Sequence, residues 1–277
     1  MLTWNEAIGP GLAVGDHRRP CPACDKGPRD TALSVTINPD GSYIAHCFRC
    51  GAVHRDGHQS LRTAPPPRKL QAPKRNDLSG WGSDLWASCR QLDGTAVDYL
   101  MARGCYLPPL DGALRWHPAL SHPDGYSGPA LVALITHART GKPLSLHRTW
   151  INHDGTKPAA LGNKARLLLG GHAIAGGVVR LWPDEDVTHG LGIAEGIETA
   201  LSLAHGYQPV WALIDAGHIA KFEPLPGIES LTIACDNDPA GIKAARQCSA
   251  AWAAAGVEVY VTRQEQNDLN DLVREAA

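Results

Sequence analysis

Apolar residues in the last third of the chain recur in short runs, separated by longer segments with helical spacing. Four of these runs predict buried strands: "LGIAEG", "PVWALID", "LTIACDND" and "VEVYVT". Between them, "IETALSLAHG" and "PAGIKAARQCSAAWAAAG" predict helices. Strands that alternate with helices form mainly parallel sheets, and functional groups gather beyond the carboxyl ends of such strands.

The earlier part of the chain shows a different pattern, in which pairs of strands are joined by turn sequences. "ALSVTI" and "SYIAHCF" flank the turn "NPDG", which predicts an antiparallel hairpin. The segment "GPALVALITHARTGKPLSLHRTWIN" predicts a second hairpin around "RTGKP". Before it, "DLWASCRQL" and "GTAVDYLMARG" have helical spacing, and Gly104 is placed to end the second helix.

A stretch rich in proline and basic residues lies between the two hairpins and predicts a mobile linker. Its cations offer phosphate contacts or serve only solubility: Arg62, Arg68, Lys69, Lys74 and Arg75. We therefore predict an α+β multidomain protein with an antiparallel N-terminal domain, a mixed α/β basic subdomain and a C-terminal α/β domain with a mainly parallel sheet. The predicted boundaries are 1–58, 59–78 (linker), 79–187 and 188–277.

Charge is distributed unevenly along the 277 residues, although the net charge is only −2. Residues 1–170 carry 20 basic and 13 acidic side chains, whereas residues 171–277 carry 6 and 15. This asymmetry suits polyanion contact by the first part and cation binding by the second, but solvated loops and helices explain it equally well. No apolar run approaches the roughly 18 residues of a membrane span, and the N-terminus lacks a signal-peptide pattern, so we expect a cytoplasmic protein.

Two Cys-x2-Cys pairs flank the first hairpin: Cys21 with Cys24, and Cys47 with Cys50. Two intervening residues allow both thiolates of a pair to face one ion, and the hairpin returns the second pair to the first. Four thiolates form a closed tetrahedral zinc site, which stabilises a fold and leaves no position open for chemistry. We therefore predict a zinc ribbon with structural Zn²⁺.

Basic and aromatic side chains surround these cysteines: Tyr43, His46, Phe48, Arg49 and Arg55. This mixture suits contact with single-stranded nucleic acid. For Phe48, packing in the small core of the ribbon is an equal alternative.

The segment "CPACD…TALSV…YIAHCFRCGAVHRDG" resembles the N-terminal zinc-binding domain of bacterial and phage DNA primases. Cys24 stands where bacterial primases usually have histidine, which places the chain nearer the phage type. The resemblance implies that this domain recognises a DNA template.

Acidic residues follow the first and third strands predicted in the C-terminal domain, and Glu195, Asp236 and Asp238 are therefore expected at one edge of the sheet. In an extended chain the two aspartates point the same way, and they would resist ionising together unless a cation lay between them. Such hard oxygen ligands favour Mg²⁺ or Mn²⁺. The alternative is a turn in which one aspartate, Asp238, caps the next helix.

Three segments in this order resemble the Toprim domain, a catalytic module of primases, topoisomerases and some nucleases: "IAEGIETAL", "IACDNDPAG" and "QNDLNDLV". The resemblance implies that Glu195, Asp236 and Asp238 are catalytic and bind magnesium, with Asp268 and Asp271 as further ligands. Asn267 replaces the lysine usual in the last motif. Glu198 falls where primases carry a second acid, but it also suits the first turn of a helix. Whether Glu195 is a metal ligand, a proton acceptor or both stays open.

The middle of the chain, with "AVDYLMARGC", "LRWHPAL", "HRTWINHDGTK" and "KARLLLGG", resembles the N-terminal half of the primase RNA-polymerase domain. This resemblance implies that Arg148 and Lys164 contact nucleotide or template, and Lys157 and Arg166 are further candidates for the same role.

The order of these regions is that of a phage- or plasmid-type DNA primase, an enzyme that makes RNA primers from ribonucleoside triphosphates on single-stranded DNA. No "GxxxxGK[ST]" motif occurs, so we expect no fused helicase and a separate replicative helicase as partner. The alternative is a Toprim nuclease, or a DNA-binding accessory factor without catalysis.

Overall fold

A computed structural model describes residues 3–9, 11–24, 26–55 and 73–276, which belong to two compact units. The first unit ends, as described, at residue 55, and the second begins at residue 73. Most of the predicted linker, including Arg62, Arg68 and Lys69, lies outside the described residues. No helix in the described parts of the chain is both long and apolar enough to cross a membrane.

The N-terminal unit is an antiparallel sheet of four strands in the order of the chain. They are β1 (Gly15–Arg19), β2 (Leu33–Ile37), β3 (Tyr43–Cys47) and β4 (Val53–Arg55). The predicted hairpin corresponds to β2 and β3, in which Leu33 lies opposite Cys47. A short helix, α1 (Trp4–Ile8), begins at a capping box formed by Thr3 and Glu6.

The alternation of β2 and β3 separates a buried face from an open one. Leu33, Val35, Ala45 and Cys47 are fully buried and pack with α1, whereas the intervening side chains point away from this core. Since the buried cluster is small, we expect the N-terminal unit to depend on a further cross-link at its cysteines.

The second unit contains one sheet of nine strands. They are β5 (Leu114–Ser121), β6 (Ser127–His137), β7 (Pro143–Trp150), β8 (Arg166–Leu168), β9 (Gly177–Val179), β10 (Gly190–Ala194), β11 (Val210–Ala212), β12 (Ser230–Ala234) and β13 (Glu258–Val261). Its helices are α2 (Gly80–Ser88), α3 (Gly94–Ala102), α4 (Ile197–Leu203), α5 (Ala216–Ala220), α6 (Pro239–Ala254) and α7 (Leu269–Ala276).

The sheet has a parallel half and an antiparallel half. In the parallel half, β10 lies between β11 and β12, and β12 also pairs with β13. The mainly parallel sheet predicted for the C-terminal region is thus confirmed. In the antiparallel half, β6 pairs with β5 and β7, and β7 pairs with β8.

The short strand β9 joins the two halves into one sheet. Val179 lies opposite Ala212 of β11 on one side and opposite Ile135 of β6 on the other. The subdomains predicted from the sequence therefore share a continuous hydrogen-bonded sheet. This join has physical consequences because residues from both halves can line one cleft.

Helices cover both faces of the sheet and bury separate apolar clusters. On one face, α3 and α4 contribute Tyr99 and Leu201 to the core. On the other, α6 presents Ala244, Cys248 and Trp252 at the four-residue spacing of a buried helix face. Trp252 also donates its indole N–H to the carbonyl of Phe222 at 2.8 Å, which satisfies the polar atom of a fully buried ring.

Residue 75, at the end of the predicted linker, is hydrogen-bonded into the second unit. The Arg75 N–H donates to the carbonyl of Gly171 at 2.9 Å, and the Arg75 carbonyl accepts from Ala173 at 2.7 Å. This short parallel bridge to residues 171–173 fixes the entry of the chain into the second unit.

The close approach of two segments at Gly241 gives a test of this packing. A Cβ at Gly241, the third residue of α6, would lie 2.5 Å from the carbonyl oxygen of Asp236. We expect Gly241→Ala to lower the free energy of unfolding by about 1–3 kcal/mol through overpacking, although alanine favours helices. Urea unfolding followed by tryptophan fluorescence measures the change.

Gly80→Ala is the matched control, because Gly80 opens α2 and its added Cβ would meet nothing within 4 Å. This variant should be neutral or slightly stabilised. An equal stabilisation of both variants would contradict the contact between Gly241 and Asp236.

Candidate functional site

The four paired cysteines converge at one end of the N-terminal sheet. Their sulfur atoms all lie within 4.8 Å of one another, with Cys21 and Cys50 3.8 Å apart and Cys24 and Cys47 3.6 Å apart. In a zinc tetrahedron with Zn–S bonds of about 2.3 Å, the sulfurs are about 3.8 Å apart. This four-cysteine cluster therefore has the dimensions of a structural zinc site.

Backbone N–H groups in the second cysteine pair favour the thiolate form of Cys47. Burial raises the pKa of Cys47, but the N–H groups of Cys50 and Arg49 outweigh it and lower the pKa to about 7. Because the thiolate is the form that binds metal, this backbone arrangement favours Cys47 as a metal ligand.

Phe48 points away from the core of the N-terminal unit, and 65% of it is exposed. The Arg18 guanidinium lies 4.7 Å from the centre of its ring. The His46 ring packs against it in a T-shaped arrangement, with ring centres 4.9 Å apart. The structure thus favours the exposed aromatic contact over core packing for Phe48. Two neighbouring candidates have protein partners, since Arg49 pairs with Asp30 at 2.9 Å and Tyr43 bonds His54 at 3.0 Å.

Glu195 and Asp236 meet at the carboxyl edge of the parallel strands. The neighbouring strands β10 and β12 pair with Ala194 opposite Ala234. Glu195 and Asp236 therefore follow the two strands at the same edge of the sheet. They line a cleft of about 150 Å³, to which Asp268 also contributes. The structure therefore brings together three acids that the sequence placed far apart.

These two carboxylates are crowded by like charges. Burial, together with Asp236, Asp238 and Asp215, raises the pKa of Glu195 to about 7. Burial, together with Asp268 and Asp238, raises the pKa of Asp236 to about 6. Oδ1 of Asp236 is buried and has no hydrogen-bond partner among the described residues. A divalent cation would satisfy this oxygen and relieve the repulsion, so the donor set fits magnesium or manganese.

Asp238 and Asp268 each use one oxygen to cap a helix. Asp238 accepts from the Gly241 N–H at 2.7 Å at the start of α6, and Asp268 accepts from the Asp271 N–H at 2.9 Å before α7. The capping alternative thus describes one oxygen of Asp238, and the other oxygen is left for further contacts. Apart from the four-cysteine cluster, no group of three histidine, cysteine or carboxylate side chains among the described residues converges as closely.

Glu198, only three residues after Glu195, is in the opposite electrostatic situation. It is buried and accepts from the Tyr99 hydroxyl at 2.9 Å and from Arg166 at 2.5 Å, and Lys157 lies 3.6 Å away. Burial alone would raise its pKa, but Arg166 and Lys157 hold it well below its usual range. Glu198 is thus a permanent anion that anchors two cations.

The four basic residues predicted to contact nucleotide or template fall into two groups. Arg166 lines the cleft, and Lys157 contacts the cleft residue Glu198. Arg148 and Lys164 do not line the cleft. Arg148 is buried, donates to the Leu168 carbonyl at 3.1 Å and lies 5.6 Å from the centre of the Trp150 ring.

Lys164 also has a protein partner, because its ammonium group pairs with Asp124 at 2.8 Å. Both side chains of this pair are largely exposed, so solvent screens the pair and leaves it free to exchange partners.

The cleft contains further residues that were not among the site residues predicted from the sequence. They are Arg103, His147 and Ile214. His147 precedes Arg148 on β7 and therefore lies on the opposite face of the sheet, where burial lowers its pKa to about 4. Ile214 has a positive φ of 76°, a conformation that β-branched residues rarely adopt. Arg103 has no local signal because only the fold brings α3 to the acids.

Comparisons with known proteins assign two regions of the chain. A family model described as a domain of unknown function (DUF7146) matches residues 76–181, and one described as a Toprim domain matches residues 190–277. No curated protein matches the chain.

Two solved structures match the chain at low sequence identity. The primase fragment of the bacteriophage T7 primase-helicase protein is 17% identical, with 94% of this chain and 95% of that chain covered and a TM-score of 0.46. The Aquifex aeolicus primase, with its zinc-binding and RNA polymerase domains, is 16% identical, with 98% and 78% covered and a TM-score of 0.44. By its family match and its mainly parallel sheet, the region that carries Glu195 and Asp236 is a Toprim domain.

Proposed function

We propose that this protein is a DNA primase, which joins ribonucleotides into short RNA primers on a single-stranded DNA template. The observation that carries the proposal is the pair of crowded carboxylates, Glu195 and Asp236, at the carboxyl edge of the Toprim domain. The four-cysteine cluster and the cationic wall of the cleft beside these acids support it, because a template-directed polymerase must hold a nucleic acid as well as its metal.

Glu195, Asp236 and Asp238 would hold Mg²⁺ or Mn²⁺. The bound cation supplies charge stabilisation for phosphoryl transfer. A carboxylate of this group that the cation leaves unbound would accept a proton, and Glu195 is the candidate for this role. The reaction needs such an acceptor, because a nucleotide's 3′-hydroxyl loses its proton as its oxygen attacks the α-phosphate of the next ribonucleoside triphosphate and displaces pyrophosphate.

Beside these acids, Glu198 holds Arg166 and Lys157 in place, and both cations would face the phosphates of the incoming nucleotide. In the N-terminal unit, Phe48 and Arg18 would stack against bases of the template, because an exposed ring bordered by cations suits single-stranded DNA. A separate replicative helicase is the proposed protein partner.

A Toprim nuclease is the second candidate, because crowded carboxylates that bind magnesium suit hydrolysis as well as synthesis. The two functions differ in their product, since synthesis lengthens labelled oligonucleotides and hydrolysis shortens them.

Primer synthesis is the direct test. Incubation with random single-stranded DNA, labelled ribonucleoside triphosphates and Mg²⁺ should yield oligoribonucleotides. Asp236→Asn should lower the rate at least about 100-fold, because the loss of one metal-binding charge costs several kcal/mol of transition-state stabilisation. Gel electrophoresis of the products measures both effects.

Asp84→Asn, an equal change at an exposed position of α2, should keep the full rate. The primase proposal fails if the unaltered protein makes no product on varied templates. Degradation of the template that Asp236→Asn abolishes would favour the nuclease.

Magnesium affinity should rise with pH. A carboxyl whose pKa is raised to about 7 or about 6 is protonated at pH 5 and ionised at pH 8, and only the ionised form binds the cation. Each proton released should give about a tenfold increase in affinity per pH unit below the pKa. Isothermal titration calorimetry with Mg²⁺ between pH 5 and 8 measures this slope.

Glu195→Gln should bind Mg²⁺ more weakly and with a shallower dependence on pH above 6. If the unaltered protein binds Mg²⁺ equally at pH 5 and pH 8, these carboxyls are not the ligands.

The four-cysteine cluster should hold one zinc ion per chain, and removing it should unfold the N-terminal sheet, since its small core cannot replace the lost ligand bonds. With a strong zinc chelator, hydrogen exchange should accelerate in β2 and β3 and stay slow in β10 and β12. Elemental analysis should find less zinc in Cys24→Ser and an unchanged amount in Cys89→Ala. Slow exchange in β2 and β3 after complete zinc removal would exclude a structural role for the ion.

A further inference from the structure

A second cavity, of about 770 Å³, lies across the sheet from the acidic cleft. Around the end of β11, Ala212 and Ile214 line the acidic cleft, whereas Leu213 and Asp215 line this second cavity. This division follows the alternation of side chains along an extended segment. The two spaces are therefore separate, and a ligand in one does not occupy the other.

The floor of the second cavity is apolar and rigid. Val178, Leu213 and Phe222 form it, and all three are nearly inaccessible to solvent. The Phe222 ring stacks on Trp252 with centres 5.2 Å apart, which fixes its orientation. A cavity of this size with an apolar floor and a few polar groups is typical of small-molecule sites.

Both acidic residues that line the cavity already have hydrogen-bonded partners. Asp215 pairs with His218 at 2.8 Å, and Glu223 pairs with Arg139 at 3.3 Å. Arg139 is held further by the Pro224 carbonyl at 3.0 Å. The Glu223–Arg139 pair cancels in charge, whereas Asp215 keeps its negative charge when His218 is neutral, and both contacts fix the walls of the cavity.

Two lysines add positive charge to the cavity. Lys74 and Lys221 line the cavity and have no ionic partner among the described residues. With a neutral His218, the positive charges of Lys74, Lys221 and Arg139 exceed the negative charges of Asp215 and Glu223 by one, so the cavity complements an anionic ligand. The phosphate groups of a nucleotide or another phosphate ester supply such negative charge.

His137 adds a directional donor beside the lysines. Its Nδ1 accepts from the Arg139 N–H at 3.3 Å, so the proton of the neutral ring lies on Nε2. Gly176 leaves room next to this atom, since a Cβ there would lie 3.0 Å from it. His137 Nε2 thus offers an N–H at the cavity wall.

We propose that this cavity is a second ligand site that binds a free nucleoside phosphate, with the planar base on the apolar floor and the phosphates between Lys74 and Lys221. The site is independent of the primase proposal, because none of its residues belongs to the acidic cleft. Its position on the back of β11 places the ligand one residue from Ile214 and therefore next to the cleft wall.

The test uses the full chain in buffer without divalent cations, so that the acidic cleft does not retain nucleotide through a metal. Fluorescent methylanthraniloyl-ADP and methylanthraniloyl-GDP serve as probes, and fluorescence anisotropy gives their Kd. At least one probe should bind saturably. Lys74→Glu and Lys221→Glu should each raise its Kd about tenfold or more, the loss expected for one charge-assisted contact.

Two matched variants distinguish binding in this cavity from a general effect of surface charge and from binding in the acidic cleft. Lys243→Glu makes the same charge change on an exposed residue of α6 outside the cavity and should leave the Kd within about twofold. Asp236→Asn alters the acidic cleft and should also leave the Kd unchanged. Thermal unfolding of each variant verifies that it is folded.

A covalent readout is available if a lysine variant fails to fold. Photo-cross-linking of the unaltered protein with 8-azido-ADP or 8-azido-GDP should label peptides within residues 173–178 or 213–225. Labelling confined to residues 195–199 would overturn the proposal. So would the absence of saturable binding, an equal loss in Lys243→Glu, or equally strong competition by tripolyphosphate without a base. Binding of a single-stranded oligonucleotide in place of free nucleotides would also overturn it.

Discussion

Glu195 and Glu198 are three residues apart, but their surroundings shift their pKa values in opposite directions. The arrangement of charges in the second unit depends on this difference. Glu195 is partly buried and faces other carboxylates, so its pKa is raised to about 7. Glu198 faces Arg166, Lys157 and the Tyr99 hydroxyl and stays ionised. When their environments separate the pKa values of neighbouring acids in this way, one site obtains both a proton acceptor and a fixed charge. The fixed charge keeps the cationic wall beside the acids without neutralising the acids themselves.

The contrast is possible because β9 joins two regions into one sheet. The acids come from the parallel half, whereas His147 and Arg166 come from the antiparallel half. Had the halves been separate domains, the distance between the acidic and cationic walls would vary with domain motion. A shared hydrogen-bonded sheet sets this distance, and preorganised charges of this kind are the main source of electrostatic catalysis.

Local patterns were enough to predict several of the strands and helices, but not the contacts between distant residues. The cysteine spacing, the apolar runs and the order of strands and helices are local signals, so the hairpin and the mainly parallel sheet were predicted correctly. The strand β9 is only three residues long and has no periodicity to detect. Glu198 and Tyr99 are 99 residues apart, so their contact needs the complete fold. Alternation puts His147 and Arg148 on opposite faces, but the sequence cannot say which face meets the cleft.

Helix capping by Asp238 and Asp268 has a consequence for interpreting related sequences. Each aspartate satisfies backbone N–H groups that would otherwise be unpaired, and its replacement by alanine costs about 1 kcal/mol in other proteins. Selection for folding alone would therefore retain these residues in a relative that had lost all catalysis. Asp236, whose buried Oδ1 has no partner among the described residues, contributes no such cap. Substitution of Asp236 is thus the more informative sign that a homologue has become inactive. Retention of the capping aspartates does not show that a homologue is active.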